Sequence, residues 1–125
     1  MNNKLLRYSD VVPVPKLSEV TSRAEVNIEC TLGNKKFGLP VTPANMKTVI
    51  DINLARLLSD SHFFYVMHRF GINNYDFVKI ANKENWRTIS ISVGVKSTDL
   101  DVLRKIRNDN LRIDYITIDI AHGHS

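Results

Sequence analysis

The sequence predicts an α/β fold: the N-terminal half of a (β/α)8 TIM barrel, preceded by an extended arm and a β-hairpin. Three observations predict it. Short apolar stretches recur, centred near Val41, Phe64, Ile89 and Ile116, 23 to 27 residues apart. Polar or glycine-containing residues follow each of them, and a helical pattern follows the first three, as in βα units that feed a parallel sheet. No G-x-G-x-x-G or G-x-x-x-x-G-K turn occurs, so the phosphate turn of a doubly wound sheet is missing. Polar residues at the carboxyl ends of successive strands are instead the barrel pattern, and a whole barrel takes ~250 residues. A chain of 125 residues holds about half of one. The expected organisation is a single incomplete barrel domain over residues 1–125, with arm and hairpin in 1–38 and the first four barrel strands in 39–125.

The elements follow in order. Between Asn2 and Pro15 lie Pro13 and Pro15, separated by one valine; each disfavours helix in the residue before it, which predicts an extended arm. Leu17 to Asn27 is polar and aperiodic, a loop. Val26 to Leu32 alternates, with Val26, Ile28, Cys30 and Leu32 on one face and Asn27, Glu29 and Thr31 on the other, the period of a strand with one wet face. Gly33-Asn34 supplies a turn, and Lys35 to Leu39 returns as the second strand of a hairpin.

Leu39 to Pro43 predicts the first barrel strand, with Pro40 at its start, where a missing donor is tolerated. Val49 to Leu58 suits a helix of about ten residues. His62 to Met67 is the second strand, followed by a helix from Asn74 to Asn85. Thr88 to Val93 is the third strand. Thr98 with Asp101 resembles a capping box opening a helix that continues to about Asp109. Tyr115 to Ile118 is the fourth strand. No helix follows it, so the sequence reads as an incomplete barrel, a truncated product or one piece of a split protein.

The closing stretch, Ile116 to Ser125, delivers Asp119, His122, His124 and Ser125 at a strand end. Asp119 there can accept two ribose hydroxyls or orient another polar group, or else serve as a cap or salt bridge. His122 and His124 could join His68 around a metal, although hydrogen bonding is the commoner use of such clusters. Arg69 offers a planar donor fork suited to phosphate, or is a surface cation. Ser22 and Arg23 read as a solvated loop. Asn45 and Met46 either touch a planar base or pack under the next helix. Cys30 is the sole cysteine, which excludes an intrachain disulfide and a cysteine zinc site; no base beside it would activate it as a nucleophile.

Hydrophobic residues make up 43% and charged residues 24%, which excludes the disordered class. No apolar run reaches the ~18–20 residues of a membrane span, and no hydrophobic signal segment opens the chain, so the expectation is cytoplasmic, with no membrane partner. The net charge of +4 is diffuse; it favours anionic small molecules and argues against nucleic acid.

Four segments carry a family resemblance: Leu39-Pro40-Val41-Thr42-Pro43-Ala44-Asn45-Met46-Lys47-Thr48-Val49, Phe64-Tyr65-Val66-Met67-His68-Arg69-Phe70, Ile89-Ser90-Ile91-Ser92-Val93-Gly94-Val95, and Tyr115-Ile116-Thr117-Ile118-Asp119-Ile120-Ala121-His122-Gly123-His124-Ser125. With Ser9-Asp10-Val11-Val12-Pro13 and Thr21-Ser22-Arg23-Ala24-Glu25-Val26, they resemble the opening third of the IMP dehydrogenase and GMP reductase family. Pro-Ala-Asn-Met and Met-His-Arg-Phe lean toward its bacterial reductase branch.

The resemblance implies a barrel enzyme, usually tetrameric, that reduces GMP to IMP and ammonia with NADPH. It implies cofactor contacts from Ser22, Arg23, Arg69, Asp119, Ile120 and Ala121, and purine contacts from Ala44, Asn45 and Met46. The family's catalytic cysteine, phosphate-binding glycines and monovalent-cation loop belong to a C-terminal half-barrel outside these residues. Cys30 does not match the cysteine motif, and no catalytic or metal-binding residue is assigned here. The isolated chain is expected to be inactive. The alternatives are an IMP dehydrogenase-like fragment, or a non-catalytic fragment that binds a nucleotide or a partner. Only about 18 residues separate Phe70 from Ile89, too few for the regulatory insert that dehydrogenases often carry there.

Overall fold

The computed structural model describes residues 6–124. Residues 1–5 of the expected arm and Ser125 of the closing cluster lie outside the described residues. Residues 6–29 are exposed throughout, with single 3-10 turns at Tyr8–Asp10 and Arg23–Glu25. The second turn is held locally: the Ser22 hydroxyl accepts from Ala24 N at 3.2 Å, and Thr21 Oγ1 donates to Glu25 at 2.7 Å.

The hairpin forms, but shorter than its alternation predicts. β1 (Cys30–Leu32) and β2 (Lys35–Phe37) pair antiparallel, Cys30 opposite Phe37. Gly33 takes φ +60°, a conformation a glycine adopts at no steric cost. Val26 and Ile28 stay half exposed outside the strand. Asn27 Oδ1 accepts its own Glu29 N–H at 2.9 Å, a local bond that competes with extension of the ladder.

Leu39 to Pro43 is not a strand, which corrects the expected first barrel strand. Pro40 and Pro43 lack N–H groups, none of the described strands pairs with this stretch, and Val41 is largely exposed. The second expected strand is reduced to one parallel bridge. Met67 N donates to Ser90 O, and Ser92 N donates to Met67 O. The ladder ends there for a visible reason: the backbone groups of Thr88 are taken by side chains. Its carbonyl accepts the hydroxyls of Ser59 and Tyr65, and its N–H donates to Ser59 Oγ. His62 belongs to the preceding turn, not to a strand. It sits at φ +63°, and the Phe63 N–H closes back on Leu58 O at 2.8 Å.

β3 (Ser90–Val93) and β4 (Tyr115–Ile118) pair in parallel, Ser90 opposite Tyr115. The parallel order is therefore the Met67 segment, β3, β4, with α1 (Ile52–Asp60), α2 (Asn74–Lys83) and α3 (Ser97–Asn108) in the connections. β3 is buried on both faces: Ile89, Ile91 and Val93 join the core with Phe77 and Ile106, and Ser90 and Ser92 face the other way. This two-sided burial is what a central parallel strand requires. On β4, Ile116 and Ile118 are exposed.

Side chains start the helices. Asp51 caps Leu54 N at 2.8 Å, and Asn73 caps Tyr75 N at 3.1 Å. The cap of α3 differs from the expected box. The Asp99 carboxylate accepts from Lys96 N at 3.3 Å, while Thr98 and Asp101 lie inside the helix, where Asp101 pairs with Arg104 at 2.7 Å. Among the described residues, no helix is long and apolar enough to cross a membrane.

One polar cluster ties α1 to the end of α2. The Trp86 indole N–H donates to Glu84 at 2.7 Å, and Arg56 donates to both its oxygens at 3.0 Å. These donors, the indole first, hold the Glu84 carboxyl below its ordinary 4.5. A depressed folded-state value means that the contribution is present above the unfolded pKa and lost as pH falls through the folded one. Trp86 is the single tryptophan. Its fluorescence is expected to shift on acidification with a midpoint below 4.5, and Glu84→Gln should abolish that step. An unchanged step in the variant would assign it to another group.

Candidate functional site

The site is built where the parallel segments end. Arg69 lies two residues past the bridge at Met67, and Asp119 lies one residue past β4, its N–H continuing the ladder to Val93 O at 2.8 Å. Strand order places β3 between them, and the side chains reach across its end: Arg69 Nε donates to Asp119 Oδ2 at 3.2 Å, each side chain a little over a quarter exposed. The Arg69 guanidinium also lies over the Phe70 ring, 4.7 Å from its centroid. Its two terminal nitrogens make no hydrogen bond among the described residues, so a cationic fork remains available to an anion.

Two further residues support this pair: His68, which the sequence offered only as a possible metal ligand, and Gly94, which it did not single out. His68 is buried, and its Nδ1 accepts the Phe70 N–H at 3.2 Å. That bond closes the turn carrying Arg69 and fixes the imidazole with its proton on Nε2 when neutral. Gly94 passes between Arg69 and Asp99: a Cβ there would lie 2.7 Å from Asp99 Oδ2 and 3.4 Å from Arg69 Nη1. Gly94→Ala is expected to push the Asp99 carboxylate off Lys96 N and cost about 1 kcal/mol, the worth of one cap. Urea denaturation checks it. Adding Asp99→Ala should then cost little more, and a variant as stable as the parent would show that the crowding relaxes with the cap intact. The signal for Gly94 in the sequence was its place directly after an apolar run.

Around Arg69 lies a cavity of about 260 Å³, lined by Asn73, Asn74, Val93 and Asp99. Beside it, His68, Lys47 and Asp51 line a cavity of about 510 Å³. The loop after the expected first strand approaches here through Lys47, whose Nζ would lie 3.6 Å from a Cβ at Gly71.

Of the residues singled out in distant parts of the sequence, the structure joins Arg69 and Asp119 directly. Ile120 is half-buried and Ala121 exposed, both directly after Asp119. Ala44, Asn45 and Met46 form a turn before α1, with Met46 N bonded to Ala44 O at 2.8 Å and Met46 half exposed; no hydrogen bond joins them to Arg69 or Asp119. Ser22 and Arg23 lie in the exposed 6–29 segment, which makes no hydrogen bond or ion pair with the rest of the described chain. His122 and His124 are exposed and adjacent, with His124 N donating to His122 Nδ1 at 3.3 Å. Among the described residues, no three His, Cys, Asp or Glu side chains are placed to hold a metal ion. Cys30 Sγ sits 3.5 Å from Leu39 O beside the hairpin, away from the strand ends that carry Arg69 and Asp119.

Comparisons with known proteins agree with one another. A family model described as the IMP dehydrogenase / GMP reductase domain matches residues 5–125. The GMP reductase of Mesoplasma florum is 47% identical over 118 residues, 94% of this chain and 37% of its own length. That of Helicobacter pylori is 43% identical over 126 residues, 100% of this chain and 38% of its own length. Among solved structures, the inosine 5′-monophosphate dehydrogenase of Legionella pneumophila superposes with a TM-score of 0.72 at 27% identity, over 94% of this chain and 36% of that one. The chain thus spans a little over a third of the length of each.

Proposed function

This chain belongs to the IMP dehydrogenase / GMP reductase family, and we propose that it is the N-terminal portion of an NADPH-dependent GMP reductase converting GMP to IMP and ammonia. In this reading residues 39–125 are the first half of a (β/α)8 barrel, residues 1–38 are its arm and hairpin, and a C-terminal half-barrel completes it. The reductase reading is favoured over a dehydrogenase because relatives named GMP reductase share 41–47% identity, against 27% for the dehydrogenase structure. The observation that carries the site is the Arg69–Asp119 pair across the end of β3.

The donor set suits the cofactor. Arg69 has free guanidinium N–H groups for a phosphate, and Asp119 has a second carboxylate oxygen for ribose hydroxyls. When bound, NADPH supplies the hydride. Arg69 and Asp119 orient it, joined by Ile120 and Ala121 and by Ser22 and Arg23 from the exposed segment. Ala44, Asn45 and Met46 line the purine side. The nucleophilic cysteine and a monovalent-cation loop lie in the C-terminal half, and the complete enzyme is a cytoplasmic homotetramer.

The test is GMP-dependent NADPH oxidation. The 125-residue chain alone should show none, and adding the C-terminal half-barrel of a homologous reductase should restore it. Turnover by the chain alone would refute the assignment of the nucleophile to the other half. Failure to restore activity when both halves fold and associate would refute the split of roles.

A further inference from the structure

At the other end of the parallel segments lies a cavity of about 800 Å³, between the hairpin and the residues that lead into β3. Asn34, Lys36, Phe37, His62, Arg87 and Thr88 line it. His62 precedes the Met67 segment and Thr88 precedes β3, whereas Arg69 and Asp119 follow the Met67 segment and β4 at the opposite end of the same parallel set, so the two sites are separated by the length of the strands. Its volume falls in the ~300–1,000 Å³ range of small-molecule sites.

Its charges are unbalanced in a specific way. The neighbouring cations are spent: Lys35 pairs with Asp114 at 2.8 Å, and Arg112 pairs with the same carboxylate at 3.5 Å. Lys36 and Arg87 have no anionic partner and no side-chain hydrogen bond among the described residues. Glu29 is the one carboxylate in the lining. The floor adds a donor, because Thr88 is 2% exposed and its hydroxyl makes none of the hydrogen bonds of the fold. The rim adds an imidazole at a costly place. His62 holds φ +63° in the turn that ends α1, where glycine is the usual occupant.

We propose that this cavity binds a phosphate monoester, with Lys36 and Arg87 on the phosphoryl group, the Thr88 hydroxyl and His62 completing its donors, and room beside them for the organic body. Charge-assisted bonds to a phosphate are the strongest such donors form. This site does not depend on the cofactor reading above.

The experiment titrates the full 125-residue chain with inorganic phosphate, ribose 5-phosphate and AMP at constant ionic strength, followed by 1H–15N spectra. Saturable shifts are expected at the Asn34, Gly38 and Thr88 amides, at lower concentration for the two esters than for phosphate. The exposed-site double variant Lys36→Met/Arg87→Met should bind at least about tenfold more weakly, roughly 1.4 kcal/mol. Thr88→Val should weaken binding with both cations in place, and Thr88→Ser should restore it. Equal shifts with chloride or with adenosine, absence of saturation by about 10 mM, or undiminished affinity in the double variant would overturn the proposal.

Discussion

Asp119→Ala, in the enzyme assembled with its C-terminal half, is expected to raise the KM for NADPH by about 10- to 100-fold while kcat at saturation falls less. The magnitude follows from losing a charge-assisted bond worth ~1.5–3 kcal/mol. The split follows because binding a part of the cofactor remote from the hydride is uniform binding, which appears in KM. Arg69→Met, which keeps the apolar stem over Phe70, should act in the same direction. The two side chains touch at 3.2 Å, so their effects should not add, and the double variant should fall short of the product of the singles. Steady-state kinetics with NADPH as the varied substrate reads all three. A lowered KM in Asp119→Ala would mean that the carboxylate merely competes with phosphate for Arg69, and the ribose role would be lost. Effects that multiply would mean that the pair is not a unit.

How much of this was legible depended on where the controlling bonds lie. The helices and β3 were readable because their periodicity reports burial on one side or both: Phe77, Val78 and Ala81 recur on one face of α2, and Ile89, Ile91 and Val93 on one face of the strand. Asp119 was readable as a polar residue directly after an apolar run, though not its partner. The 50 residues between Arg69 and Asp119 carry no local sign that the two meet, since strand order alone brings them together. Leu39–Pro43 lacks two N–H groups of its own at Pro40 and Pro43, and the expected second strand is cut back for a related reason. Strand character in Leu39–Pro43 and His62–Met67 shows in composition, whereas a ladder requires free backbone groups on a neighbour. Thr88 has given its own to Ser59 and Tyr65. The α3 cap was missed because Asp99, not Asp101, turns back on Lys96 N, a choice between two aspartates that spacing alone does not decide. His68 drew attention as a possible ligand, and its burial with Nδ1 committed to Phe70 N makes it part of the scaffold under Arg69.

The largest stability effect is expected at Phe37, on the hairpin rather than among the helices. Phe37 is 2% exposed although it belongs to a three-residue strand whose other residues are half-buried (Lys35) and exposed (Lys36). Its ring packs edge-on against Phe64 at 5.3 Å, Phe64 against Tyr115 at 5.2 Å, and Phe37 lies 6.0 Å from Tyr115. These rings join the hairpin to the segment before Met67 and to the first residue of β4. Around them, the Tyr115 hydroxyl donates to Leu32 O at 2.6 Å, and Lys35 bonds Asp114 and Arg87 O. Those polar links are partly exposed, so the aromatic contact carries most of the attachment: aromatic pairs add ~0.5–1.5 kcal/mol to their burial. Phe37→Ala should therefore cost about 3–5 kcal/mol, a large share of the 5–15 kcal/mol typical of a domain. Phe37→Leu, which refills most of the volume, should cost less than about 1.5 kcal/mol. Leu17→Ala, at a fully exposed position, should leave the urea midpoint where it was. A loss below about 1 kcal/mol for Phe37→Ala would show that the hairpin only rests on the sheet. In that event Lys35 and the Tyr115 hydroxyl, not the ring contacts, would hold the N-terminal end of the strands closed.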